Sequence, residues 1–339
     1  MKKIILYIIL LCVTTFVNTN LLGQQVSLYS QYMMNKFLIN PAVAGAEGYT
    51  AINLTSREQW IGFGESPGTH AISLQSRILR NSFISKSAPI RKSVRRKKRS
   101  GRVGLGGYIY NDRSGIINKT GFQFTYAYHI HVQQSQISFG VSMNTYQFRI
   151  KKEDLNLYDA MDQLIYNNKL AIFIPDANIG FYYSDRSKYF GFSGGNLFES
   201  LVQFSNNGAT KYETMKRHYY LMGGHFFNIN EYMILEPSFL LKTNELLNNQ
   251  LEICTRFFYR ENYWGGISYR TGSYISEKKG AETGSIILMG GVKLDKFFFG
   301  YAFDYTLSDL MHFTYGTHEI MAAIKFGDSA RRYRWLNRY

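Results

Sequence analysis

The chain has 339 residues, a formal net charge of +15, 16 % aromatic residues, 30 glycines, 5 prolines and 2 cysteines. One cysteine, Cys12, lies in an apolar N-terminal run, so the rest of the chain keeps only Cys254 and a disulfide-stapled scaffold is excluded. The length admits one large barrel or two ordinary domains. A slightly negative mean hydropathy of −0.22 argues against a helical membrane bundle but not against a membrane barrel, whose lipid-facing and lumen-facing residues alternate and cancel.

Residues 1–23 read as a secretory signal peptide. Lys2 and Lys3 precede the apolar run Ile4 to Val17, and Gly23 is a suitable last residue before cleavage. The run is short for a membrane-spanning helix. Leu11 before Cys12 does not fit a lipoprotein cleavage site. Residues 24–48 show neither a period of 2 nor one of 3.6. Asn40-Pro41 interrupts any strand here, because proline cannot donate to a ladder.

From residue 49 to 326 a simple alternation takes over. Phe122, Phe124, Tyr126, Tyr128 and Ile130 fall on one face, and Gly121, Gln123, Thr125, Ala127 and His129 on the other. Side chains alternate across a strand, so this is a strand with one apolar and one polar face. The same reading places Ile52 and Leu54 outward, and Asn53, Thr55 and Arg57 inward. Trp60 falls where the first strand meets the interface, a natural place for an aromatic anchor.

About fourteen such segments recur, an even number as in bacterial membrane barrels. They lie near 49–60, 69–79, 102–112, 119–131, 135–149, 174–184, 188–196, 215–226, 231–243, 248–259, 262–270, 284–294, 296–306 and 316–326. Tight connections near 132–134, 185–187, 227–230, 260–261 and 295 alternate with longer ones near 61–68, 150–173, 197–214, 271–283 and 307–315. The fold class expected is therefore an all-β transmembrane antiparallel barrel. Its short turns and both chain termini face the periplasm, with the outer membrane as location. Residues 24–48 then lie in the lumen or across the periplasmic mouth. They act either as a plug or as a tether completing the barrel floor, with Tyr32, Asn35, Asn40 and Pro41 fixing them.

One periplasmic connection, 80–101, is long and basic. It carries Arg91, Lys92, Arg95, Arg96, Lys97, Lys98 and Arg99, and the tail 327–339 adds Arg331, Arg332, Arg334 and Arg338. Such a concentration is either an electrostatic dock for an acidic periplasmic partner, peptidoglycan or lipid headgroups, or a solvated segment whose like charges repel.

No nucleotide loop, zinc-protease motif or nucleophile elbow occurs, so an enzyme is not expected, nor a cofactor or metal. His129 and His131 share the lumen face without the further ligands a metal needs. Glu153, Asp154, Asp159 and Asp162 lack calcium-loop spacing. Leu155, Tyr158, Met161 and Ile165 suggest a short amphipathic helical turn in the same loop.

Ser30, Gln31, Tyr32, Met33 and Asn35, then Ile39 to Ala42 and Ala44-Gly45, make a block that Arg57, Gln59-Trp60, Gly62-Phe63, Pro67 and Thr69 continue. Glu236-Pro237-Ser238, Lys242, Trp264-Gly265, Tyr269-Arg270, Asp304 and His318-Glu319-Ile320 follow. In these pieces the chain resembles the PorP/SprF family of the type IX secretion system. The resemblance implies an outer-membrane partner of a large exported surface protein, often an adhesin with a type B C-terminal sorting domain, and an association with gliding motility. It equally admits a structural component docked to the periplasmic lipoprotein ring. A diffusion porin is the third reading. Tyr32, Asn35, Asn40, Pro41, Arg57 and Trp60 are the candidate partner-binding residues. No nucleic acid is expected as partner.

Overall fold

The computed structural model describes residues 29–62, 64–78, 102–115, 117–132, 134–150, 171–198, 201–203, 212–214, 216–245, 249–271 and 284–326. The signal segment, the basic insert 80–101, the acidic loop with its helical stripe and the tail 327–339 lie outside these residues.

The first half of the chain forms β1 (Thr50–Glu58), β2 (Gly68–Ile78), β3 (Val103–Ser114), β4 (Ile117–Val132), β5 (Ser135–Ile150), β6 (Ala171–Ser184) and β7 (Lys188–Gly195). A small separate hairpin follows, β8 (Leu201–Gln203) with β9 (Tyr212–Thr214). The second half forms β10 (His218–His225), β11 (Phe227–Asn230), β12 (Met233–Asn244), β13 (Gln250–Tyr259), β14 (Tyr263–Arg270), β15 (Ser285–Leu294), β16 (Phe297–Thr306) and β17 (Thr317–Phe326). Both β10 and β11 pair with β12, so together they make one strand of the wall. Neighbours pair antiparallel around the ring, and β1 pairs with β17 from Thr50↔Phe326 to Glu58↔His318. The sheet closes as a fourteen-stranded antiparallel barrel with no free lateral edge along β1 and β17. Closure is what a bilayer demands, because an unpaired backbone group in hydrocarbon costs several kcal/mol.

The alternation decides which face is which. In β4, Phe122, Phe124, Tyr126, Tyr128 and Ile130 point outward and exposed, while Gln123, Thr125, Ala127 and His129 are buried inside. In β16, Phe297, Phe299 and Tyr301 are outward, and Phe298, Ala302 and Asp304 are buried. A continuous apolar, aromatic outer face around a polar interior suits lipid outside and a filled lumen within. The crossing is made by strands; no helix among the described residues is long and apolar enough to cross a membrane.

Two connections differ from expectation. The turn placed at 227–230 is instead strand: Phe227 and Asn228 pair with Leu235 and Ile234, and a register shift follows before Asn230. The chain reverses one step later, where the Tyr232 amide donates to Asn230 Oδ1 at 2.9 Å. All four residues of β11 are exposed, so no burial contrast marks them as strand. The β3–β4 connection is shorter than expected, because Ser114 still pairs with Ile117 and Gly115 takes φ +56. A left-handed φ is accessible to glycine at no steric cost.

The face assignment makes a direct prediction. Phe124 is half exposed at the centre of β4, and Val132 is equally exposed at its end. Phe124→Lys is expected to lower unfolding stability in vesicles by ~2–4 kcal/mol, and Val132→Lys by only ~0–1 kcal/mol. Equal effects in a denaturant titration would remove the membrane-facing assignment of this strand.

Candidate functional site: a strap inside the ring

Inside the wall, residues 29–46 take an irregular path with two short 3-10 turns, η1 (Lys36–Leu38) and η2 (Pro41–Val43). Tyr32, Phe37, Asn40, Ala42 and Ala44 are all buried. Asn40 caps η2 by accepting the Ala42 amide at 2.9 Å, and Pro41 sits at the first turn position, where a missing N–H costs nothing. This strap is held at three levels.

At the Glu58 end of β1, Glu319 takes the backbone amides of Ser30 at 2.6 Å and Gln31 at 2.9 Å on its two oxygens. Ser30 Oγ donates to Asp304 Oδ2 at 2.7 Å and is itself contacted by Arg57 Nη1. Arg57 reaches Asp304 at 2.9 Å and Glu319 at 3.4 Å, and Arg270 reaches Asp304 at 3.1 Å and Glu252 at 2.8 Å. Two guanidinium groups thus face three carboxylates. The strap amides offset part of the surplus negative charge, as N–H dipoles on a buried carboxylate do.

At mid-height, Glu236 accepts from Tyr189 Oη at 2.8 Å and pairs with Arg256. Arg256 Nη1 lies 2.7 Å from Met34 Sδ, and Lys36 Nζ sits 3.8 Å from the centre of the Tyr189 ring. On the opposite wall, Asn40 Nδ2 donates to the carbonyls of Phe181 at 2.9 Å and Phe192 at 3.3 Å, and Asn35 Nδ2 donates to Ser73 Oγ at 3.0 Å. At the Thr50 end, Arg77 donates to the carbonyls of Gly45 at 2.8 Å and Ala46 at 2.6 Å, and Gln136 donates to Ala46 O at 3.1 Å. His129 is engaged with Ser138 Oγ at 2.8 Å and Ala44 O at 3.0 Å.

The wall carries glycine where the strap comes closest. A Cβ at Gly140 would fall on the Ala42 amide, one at Gly180 on Asn40 Oδ1, and one at Gly104 on the Ala44 carbonyl. These are lumen-facing positions in β5, β6 and β3, and they form the track in which the strap backbone lies.

Of the residues singled out from sequence, Tyr32, Asn35, Asn40 and Pro41 are on the strap, and Arg57 is on the wall facing it. Trp60 lies apart, two residues past β1. It is in a left-handed conformation at φ 51, with its amide 3.2 Å from Thr317 Oγ1. The basic residues of the insert and tail lie outside the described residues. Sequence reasoning gave no role to Ser30, Arg77, Glu236, Glu252, Arg256, Arg270, Asp304 or Glu319. Each charged one sits at an inward position of its strand. A charge on the lumen face of a membrane strand was the available signal, but alternation cannot say which charges meet.

Below the rim at the Glu58 end, and above the strap from Phe37 to Pro41, the interior holds a cavity of about 290 Å³ between β2–β7 and β10. No group of three or more potential metal ligands converges among the described residues.

A closed fourteen-stranded ring with an aromatic outer face and a polar, charged interior defines an outer-membrane-type β-barrel. The family described as "Type IX secretion system membrane protein PorP/SprF" matches residues 21–324, and the chain belongs to that family. Solved structures similar to it include the CymD monoaromatic hydrocarbon channel, at 11 % identity and TM-score 0.45, covering 90 % of this chain and 94 % of that one. The toluene transporter TbuX of Ralstonia pickettii shows the same identity, TM-score and coverage. Omp33 of Acinetobacter baumannii stands at 8 % identity and TM-score 0.43, covering 82 % of this chain and 99 % of that one. No curated protein matches in sequence.

Proposed function

We propose that this barrel is the outer-membrane partner of a large exported surface protein, binding its type B C-terminal sorting domain and supporting its secretion or surface attachment. The strap is the observation that carries the reading. It occupies the lumen and is bonded to the wall at both ends and at mid-height. A lumen so filled is suited to a receptor rather than to a conduit for a folded domain or a freely diffusing solute. In this reading residues 24–48 are a plug, the Glu58 end faces outward, and the sorting domain docks over the rim and its loops. The basic insert and tail then lie in the periplasm, free to meet acidic partners there.

Membership of a type IX secretion family supports partnership with that machinery. The interior charges are engaged in structural pairs rather than arranged as a nucleophile and base, which supports a binding role. Affinity purification of the full-length barrel in mild detergent is expected to recover a protein bearing a sorting domain. Deletion of the gene is expected to remove that protein from the cell surface. Recovery of ring lipoproteins alone, with surface levels unchanged on deletion, would reject the cargo role in favour of a structural one.

A further inference from the structure

The strap descends the lumen in sequence order. Ser30 meets Glu319 and Asp304 at the level of Arg57, and the pair Arg57↔Glu319 is one step from the Glu58 end of the β1–β17 ladder. Asn35 meets Ser73, which pairs with Asn53 near the middle of β1. Gly45 and Ala46 meet Arg77, one step from the end of the β2–β3 ladder at the opposite mouth. Strand β1 begins at Thr50, four residues after Ala46. The chain therefore enters the lumen at the Glu58 face and joins the wall at the Thr50 face.

The residues ahead of Tyr29 have no way back to the Thr50 face. Residues 24–28 separate the strap from the expected cleavage after Gly23, and fully extended they span about 17 Å. Seven strand steps from Arg57 to Thr50, at a tilt of ~40°, make a descent of about 18 Å. The strap itself fills that path, with Tyr32, Phe37 and Ala44 buried along it. Strand β17, by contrast, ends at Phe326 opposite Thr50, so the tail departs from the Thr50 face.

The two ends of the strap are also held unequally. At the Thr50 face it continues into β1, which pairs along its length with both β2 and β17. At the Glu58 face it is held by hydrogen bonds from Ser30 and Gln31 to Glu319 and Asp304. Gly48, at φ +85, lies at the joint between strap and strand, in a conformation open to glycine at no steric cost. A pull from the Glu58 side meets the hydrogen bonds first and the β1 ladders last.

We propose that the chain ahead of Tyr29 is a handle at the Glu58 mouth. It leaves the barrel on the side opposite the tail, and the exported protein docked over that rim draws the strap from the lumen by it. To hold the strap drawn, that protein brings acceptors for the Ser30 and Gln31 amides that Glu319 gives up. The role of the exported protein rests on the reading above, in which the Glu58 end faces outward; the opposite placement of the two chain ends does not. An even strand count returns the last strand to the side of the first, but it says nothing of the path taken before β1. That is why alternation alone set both termini in the periplasm.

The test uses the full-length chain with Gln25→Cys or Asn337→Cys, labelled with a membrane-impermeant maleimide on intact and on permeabilised cells. Cys254 is buried and serves as the silent background. Gln25→Cys is expected to label equally in both, and Asn337→Cys at least tenfold more after permeabilisation. The reverse pattern keeps the chain ends on opposite sides and overturns the outward orientation, and with it the handle's role toward an exported protein. Labelling of both positions from one side overturns the inference. Pulling the Gln25→Cys protein by its thiol in a supported bilayer is expected to give a first release of about 50 Å, the extended length of residues 29–49 less the height they already span. Pulling on Asn337→Cys is expected to give no such first release. Rupture of the wall without that short release shows that the strap is not drawn from this end and overturns the handle. Should Gln25→Cys fail to fold, a short epitope inserted between Gln24 and Gln25 serves for both measurements.

Discussion

Asp304→Ala is expected to destabilise the barrel by ~3–5 kcal/mol, the cost of leaving buried charge uncompensated. Asp304 Oδ2 is the meeting point of Arg57 at 2.9 Å, Arg270 at 3.1 Å and the Ser30 hydroxyl at 2.7 Å. Without it, Arg57 keeps only Glu319 at 3.4 Å, and Arg270 keeps Glu252 at 2.8 Å. Two buried guanidinium groups then share the space that Asp304 leaves. Ser30 also loses its acceptor, so the N-terminal hold of the strap weakens together with the wall. Denaturant unfolding in detergent measures the first effect. Proteolysis within residues 29–46 measures the second. An exposed pair would cost ~1 kcal/mol or less. A loss that small would mean that water reaches the network and that the strap does not seal it.

Gly140→Ala combined with Gly180→Ala is expected to expel the strap while leaving the wall folded. The Cβ at Gly140 would overlap strap backbone at Pro41 and Ala42; the one at Gly180 would meet the Pro41 ring and Asn40 Oδ1, the end of a side chain that its bonds to Ala42, Phe181 and Phe192 hold in place. The β5–β6 pairing is backbone to backbone and includes Gly140↔Gly180 themselves, so the ring itself has no reason to open. Overpacking of this kind costs ~1–3 kcal/mol per site. The expected readouts are raised single-channel conductance, protease sensitivity of residues 29–46 and an unchanged strand content by circular dichroism. Gly265→Ala and Gly290→Ala serve as controls, because a Cβ there meets its nearest atom at an ordinary 3.7 Å and 3.5 Å. Conductance equal to that of the native barrel in the double variant would show that the strap does not govern passage.

The two predictions differ in how far the sequence foreshadowed them. That Asp304 points inward follows from its place between Phe303 and Tyr305, since neighbours on a strand take opposite faces. That it meets Arg57, 247 positions away, follows only from the β1–β17 closure and the β16–β17 register. The glycines show the same division. Alternation puts Gly140, between Phe139 and Val141, and Gly180, between Ile179 and Phe181, on an inward face. That they make room for a second chain segment is visible only once that segment is placed against them. Asn40 lies between these cases. Asn40-Pro41 excluded a membrane strand on local grounds, yet its bonds to the carbonyls of Phe181 and Phe192 could not be read from any local pattern. The misplaced turn at Phe227 to Asn230 has the converse cause: Phe-Asn-Ile-Asn is too short a run for its alternation to count, and its two asparagines suit a turn as well as an exposed strand.

The sequence by itself determined the class of protein. Period-2 alternation over long segments is a local property, set by backbone geometry and by which side chains tolerate lipid, and it needs no knowledge of partners. It was enough for an even-stranded barrel, for the inward and outward faces of the strands whose alternation is clearest, and for the irregularity of the segment before Tyr49. The tertiary structure alone decided what fills the ring. The strap is held by main-chain amides and carbonyls, which every residue type carries, and by charges distributed over β1, β2, β13, β14, β16 and β17. Contacts of that kind leave no local periodicity in the chain, and they exist only after closure brings distant strands around a common axis.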